Sequence, residues 1–122
     1  MEKEKALEMI KKEMDEVPKP LGNLADLDMN ILTGHLEAKR NAYSGEKLDR
    51  KTKALIALAV GIALDSQGCI MNNVKAAKKN GASTEEIMET YSVAKFSKSA
   101  SCISGFAAAM DWLVNNQDAQ ND

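Results

Sequence analysis

Between Ala54 and Leu64 the chain reads ALIALAVGIAL, eleven residues without one polar side chain. Few folds accommodate such a run. A membrane span needs about 20 apolar residues, so this one is too short to cross a bilayer and is predicted to be a core helix. It is apolar on every side, whereas a surface helix of a small protein usually shows one apolar stripe and one polar face. Asp49, just upstream, is the predicted N-cap of this helix, placed at about 50–65. The rest of the composition agrees with helix. Apolar residues make up 44% of the chain but aromatic ones only 4%, so Ala, Leu, Ile, Val and Met must fill the core. Most of these are good helix formers, and the only two prolines are Pro18 and Pro20. The predicted fold class is all-α, one domain over residues 1–122, since a chain this short holds one modest core.

Periodicity gives about six helices. Ala6, Met9, Ile10, Met14 and Val17 recur at spacings of three and four, predicting an amphipathic helix over 2–17 that the prolines end. A second helix is predicted over 23–43, with Leu24, Leu27, Ile31, Leu32 and Leu36 as its stripe. The fourth, about 67–80, stops at Asn80-Gly81. Ser83-Thr-Glu-Glu86 is a capping box that opens a fifth, about 84–97. A sixth, about 99–115, carries Ile103, Phe106, Ala107, Met110, Leu113 and Val114 on one side, and its Ser, Gly and Ala content would let a neighbouring helix approach closely. The tail Asn115–Asp122 is polar and expected to fray.

Several function classes are excluded by charge and residue counts. The net charge is −2 with both signs interspersed, against the concentrated positive face that nucleic acid or an anionic membrane surface requires. The lysine doublets Lys11-Lys12 and Lys78-Lys79 read as solvated faces. One histidine, His35, rules out a histidine metal cluster, and no metal or cofactor is expected. The N-terminus MEKEKALEMIKKEMDEV lacks the apolar core of a signal peptide. Two cysteines, Cys69 and Cys102, are too few for a disulfide framework, so the expected location is cytoplasmic.

The stretch 48–94 resembles the carboxymuconolactone decarboxylase-like superfamily, which includes the alkylhydroperoxidase D-type peroxidases. The resemblance rests on a helix beginning Leu48-Asp49-Arg50-Lys51-Thr52, the apolar run, and Ala77-Lys-Lys-Asn-Gly81-Ala-Ser-Thr-Glu85-Glu86-Ile87. It implies an alkylhydroperoxidase D-like helical bundle in which the third and fourth helices form an antiparallel core pair. In the peroxidase branch the first helix of the pair carries a glutamate and the next begins Cys-x-x-Cys-x-x-x-His. There a thiolate attacks the peroxide, a second thiol resolves the sulfenic acid, and the Glu–His pair moves protons. Here those positions hold Ala54, Ser66, Cys69 and Asn73, so one of the four survives. The decarboxylase branch, which does without the cysteine pair, also keeps the histidine that is Asn73 here.

Cys69 therefore stands as the candidate catalytic residue, near a helix N-terminus where the dipole favours an anion. The plainer alternative is a small buried side chain. Ala54, Ser66 and Asn73 are the motif-equivalent pocket positions, with 66, 69 and 73 on one helical face. That face would line a small pocket, its volume increased where alanine replaces glutamate. Cys102 is a candidate replacement resolving thiol, and His35 a candidate base or a surface hydrogen-bonding group. Met71, beside Asn72 on the same helix, is the one methionine near this face rather than at a core position.

Two function classes remain. One is a family enzyme, a weak thiol-dependent peroxidase through Cys69 or a decarboxylase-type lyase on a small carboxylic acid. The other is a non-catalytic oligomeric relative, structural or binding a small molecule. The apolar third helix and the small-residue sixth leave more apolar surface than one short chain can hide. A homo-oligomer is expected, and the resemblance implies a trimer or hexamer.

Overall fold

The computed structural model describes residues 1–117, and within them every regular element is helical. The elements are α1 (Lys3–Met14), α2 (Lys19–Leu27), α3 (Met29–Tyr43), α4 (Arg50–Ala63), α5 (Gln67–Lys79), α6 (Thr84–Gly105) and α7 (Ala107–Val114). The all-α expectation holds, with seven helices in place of about six. None of the described helices is long and apolar enough to cross a membrane.

The additional helix comes from Asp28. The stripe Leu24, Leu27, Ile31 suggested one helix through 23–43, but Asp28 is extended and ends α2 by donating its N–H to the Leu24 carbonyl at 2.8 Å. Its carboxylate then caps α3, accepting from the amides of Asn30 at 2.9 Å and Ile31 at 3.2 Å. An aspartate that can satisfy the first free amides of a helix competes well with continuing the previous one. The prolines act at both of their borders. α1 stops before them at Asp15, which takes a left-handed φ of 69°, and α2 starts on them, with Pro18 as its N-cap and Pro20 in the first turn.

The boundary expected near residue 98 is also elsewhere. α6 runs unbroken through it, the Ser101 hydroxyl donating to the Lys98 carbonyl at 2.5 Å, and bends only after Gly105. At Phe106 the amide reaches back to the Cys102 and Ile103 carbonyls at 3.0 and 3.2 Å and α7 begins. Serines inside a helix cost little, so nothing in Ser97–Ser101 forces a stop. Of the tail expected to fray, Asn115 and Asn116 turn their amides back onto the carbonyls of Asp111 and Trp112 at 2.8 and 2.7 Å, while residues 118–122 lie outside the described residues.

The buried residues form two separate clusters. Ala54, Leu58, Ala77, Ala82 and Ile87 join α4, α5 and the start of α6, with Leu58 only 1% exposed. Ala6, Ile10, Ala25 and Leu32 join α1, α2 and α3, with Leu32 fully buried. The clusters do not merge. Polar ties link them instead: the Lys79 ammonium donates to the Asp15 carboxylate at 2.9 Å and to the Glu13 carbonyl at 3.4 Å. Lys53 reaches from α4 to the Tyr43 carbonyl at 3.0 Å. Exposed links of this kind add little stability, and a cleft remains between the two halves.

Candidate functional site in the cleft beside alpha4 and alpha5

α4 and α5 are joined by a tight turn through Asp65, which is left-handed at φ 54°. They run back along each other, and Gly61 sets how close they come. A Cβ built there would stand 3.4 Å from both the Cys69 Cβ and the Ile70 amide nitrogen. The missing side chain is what lets the first turn of α5 lie on α4. Two turns earlier on α4, about 10 Å away by helix rise, Ala54 lies in the same cleft as Asn73. The stripe Ser66, Cys69, Asn73 therefore follows α4, but its two ends meet different surroundings.

At the Asn73 end lies a cleft of about 700 Å³, walled by α1 and α3 on one side and by α4 and α5 on the other. Ala54, itself buried, and Asn73 both line it. Asn73 is half-buried and its carboxamide makes no hydrogen bond to another of the described residues, leaving it available to the cleft. At the other end, Ser66 and Cys69 do not line the cleft. Ser66 is the N-cap residue of α5 without a side-chain capping bond, and Cys69 packs by Gly61 at the surface. The motif-equivalent positions are thus split: Ala54 and Asn73 come together, Ser66 and Cys69 stand apart from them.

The remaining candidates are scattered. Cys69 is exposed, so the alternative that it is a small buried side chain fails. Cys102 is also exposed and free, on the distal half of α6, where it shares an apolar groove with Ile103, Phe106 and Met110. That groove does not include Cys69. His35 is exposed on α3 and outside the cleft. Met71 is exposed and likewise outside it. Among the described residues no group of three or more His, Cys, Asp or Glu side chains is placed to hold a metal ion.

What the sequence did not point to is the charge lining the cleft. Six basic residues border it: Lys12, Lys39, Arg40, Arg50, Lys75 and Lys79. Among the described residues two acids do, and each is already engaged: Glu13 with Lys39 at 3.0 Å, Asp15 with Lys79 at 2.9 Å. The hydrogen bond from Lys79 and its charge hold the Asp15 carboxyl below the usual aspartate range, so the acid stays ionised and its charge is matched. Lys12 and Lys79 belong to the doublets expected to be solvated faces. One lysine of each pair instead turns to the cleft, while Lys78 bonds the Thr84 hydroxyl at 2.7 Å. No sequence spacing could have found this lining, because its members come from four helices.

The model of the carboxymuconolactone decarboxylase family matches residues 29–113. A protein of Paracoccus denitrificans described as uncharacterized protein 4 in cox locus is 35% identical over 74 residues, covering 61% of this chain and 67% of that protein. No solved structure matches. The matched range runs from the start of α3 into the last turn of α7 and takes in the capping box and the Ala54–Asn73 pair, and the chain belongs to the carboxymuconolactone decarboxylase family.

Proposed function

We propose that this chain is a family member that binds a small molecule in the cleft between α1–α3 and α4–α5 and does not run the dithiol peroxidase cycle. The observation that carries this reading is the split of the motif positions. Ala54 and Asn73 border a roomy cleft, and the remaining thiol of the motif lies outside it. A peroxide bound at the cleft would meet an alanine and an amide, neither of which transfers protons as the acid and imidazole do. Acid–base groups of that kind contribute about 10²–10⁴-fold, and the first motif cysteine is a serine, Ser66. A decarboxylase-type reaction on a small carboxylic acid has the same gap at Asn73. Cys69 retains at most a slow, exposed-thiol reaction with peroxide. Two free cysteines suit a reducing compartment, in keeping with a cytoplasmic protein.

Self-association completes the reading. Ile56, Val60 and Leu64 form an exposed stripe on α4 opposite its buried face, and Phe96, Ile103, Trp112 and Leu113 are half or more exposed on α6 and α7. A second copy supplies matching apolar surface for both. The family resemblance favours a trimer or hexamer.

The test is turnover of an organic hydroperoxide with a dithiol donor. Activity close to the uncatalysed rate is expected. Brisk turnover abolished by Cys69→Ser would overturn the proposal. The triple substitution Ala54→Glu, Ser66→Cys and Asn73→His should raise turnover by less than the roughly 10²-fold that a working relay supplies, because the thiol pair would still lie outside the cleft that holds the new acid.

A further inference from the structure

We propose that the molecule bound in this cleft is an organic anion carrying two or more negative charges, held by Lys12, Arg40, Arg50 and Lys75. This rests on the cleft being a binding site, and adds what kind of ligand it selects.

The two acids of the cleft are both matched by lysines, at 3.0 and 2.9 Å. Once those pairs are set aside, Lys12, Arg40, Arg50 and Lys75 make no ion pair with another of the described residues, and the one acid whose charge Lys75 feels, Asp15, is already bonded to Lys79. Asp49, next to Arg50 in sequence, is occupied in capping α4, its carboxylate accepting from the Thr52 amide at 2.8 Å. The whole chain carries a net charge of −2, so a cleft lined by six basic and two acidic residues runs against the global balance. The four come one each from α1, α3, α4 and α5, and all border one concave space. The four are exposed, and their charges round one concave space attract a ligand with two or more negative charges. Two of the four are guanidinium groups, whose planar fork pairs bidentately with carboxylate or phosphate oxygens. Met9 and Met14 add an adaptable apolar wall, which suits the carbon body of an organic ligand better than a bare inorganic ion. Lys12 and both methionines lie before residue 29, outside the range that the family model matches.

Carboxylates and phosphates share this chemistry, and titration with aromatic probes of one size separates them. The probes are phthalate, phenyl phosphate, benzoate and the uncharged dimethyl phthalate, followed by calorimetry and by amide shifts of Asn72 and Asn73 in the full chain. Phthalate or phenyl phosphate is expected to bind about tenfold or more tighter than benzoate and the diester, and to weaken as salt is raised. A preference for phthalate assigns a dicarboxylate, and a preference for phenyl phosphate assigns a phosphate ester. Arg40→Gln with Arg50→Gln should remove about tenfold or more of that affinity at unchanged helix content, and Lys11→Gln, outside the cleft, should leave it alone. If the double variant misfolds, Lys12→Gln on exposed α1 gives the same comparison. Equal binding of the diester and the dianions would overturn the anion assignment while leaving a binding cleft. Binding of none of the four probes would overturn the assignment together with the binding site beneath it.

Discussion

Over Thr84–Ala94, α6 begins at a capping box, packs on α4 and buries Ile87 and Ala94. From Lys95 onward, through the bend at Phe106 and along α7, nothing is buried, although the side chains are at least as apolar. Phe96 is 72% exposed, Ile103 68% and Trp112 63%. The difference is one of phase. Ile87 and Ala94 are seven residues apart and share the face turned to α4. Val93, Phe96 and Ile103 lie round on the opposite face at 3.6 residues per turn. The same helix thus carries one stripe for its own chain and one that its own chain leaves uncovered. α4 repeats the pattern, with Ala54, Leu58 and Gly61 inward and Ile56, Val60 and Leu64 outward. An apolar run with no polar face is what a helix between two partners looks like, one partner being intramolecular. In the self-association proposed above, a second copy supplies the other.

The largest effect that would sharpen this contrast is in the inward stripe. Leu58→Ala should cost about 2–5 kcal/mol, because the leucine is fully enclosed and the cavity cannot easily collapse. Phe96→Ala in the same protein, held at a concentration where it is monomeric, should change stability by no more than about 0.5 kcal/mol. Urea melts read both. A Phe96→Ala loss as large as that of Leu58→Ala would mean that the outer stripe is already packed within one chain.

Next in size is assembly. The wild-type protein should scatter light as a species several times its 13.3 kDa chain. Phe96→Asp combined with Trp112→Asp should bring it down to the single-chain mass without unfolding it. Val60→Asp should do the same if the α4 stripe takes part. A wild-type protein that is a monomer at micromolar concentration would break the interpretation of the outer stripes, and a double variant that keeps its full mass would remove the α6–α7 arm from the interface.

Much of this architecture was legible in the sequence. The caps at Asp49 and Ser83 are local chemistry and stand where the residues put them. The long apolar run announced the core helix. Asp28 was not legible as a break, because its competing role as a cap depends on a choice that periodicity cannot see. The split of the Ser66–Cys69–Asn73 stripe was hidden too. One helical face looks uniform in sequence, but Gly61 brings one end into close contact, while α1 and α3 stand back from the other to leave a cleft. The basic lining, one residue from each of four helices, has no sequence signature at all.

Glycine substitutions give a middle-sized check on that close contact. Gly61→Leu should cost about 1–3 kcal/mol by pushing α5 off α4, whereas Gly61→Ala should be tolerated, since its Cβ would meet Cys69 and Ile70 at 3.4 Å. Gly34 on α3 has nothing within 4 Å, so Gly34→Ala should stabilise the helix by about 0.5–1 kcal/mol. Gly61→Leu should also raise the rate at which Cys69 reacts with a thiol reagent. An unchanged rate would show that the glycine contact does not shield the sulfur.

The smallest expected effect concerns how α6 is fastened at its buried end. The Glu86 carboxyl is held below the usual glutamate range, chiefly by the Lys51 ammonium at 2.8 Å and then by the Ser83 amide that donates to it at 2.8 Å. Lys51 is raised above the usual lysine range by the same partner. For Glu86 the folded value lies below the unfolded one, so its contribution is complete above the usual glutamate range and is lost as pH falls through the folded value. For Lys51 the order is reversed, and its contribution is lost only as pH rises past the usual lysine range. Between those limits the pair is intact. Glu86→Gln keeps an acceptor for the Ser83 amide, as capping boxes allow, but removes the charge that Lys51 meets. The expected outcome is a small loss of stability at neutral pH and a flatter decline on the acid side. Both groups are exposed enough for salt to mute the effect, so melts at low ionic strength are the place to look. An acid limb as steep in the variant as in the wild type would shift the acid sensitivity to Asp15 and Asp49, the other two carboxyls held low, and with it from the start of α6 to the cleft and the start of α4.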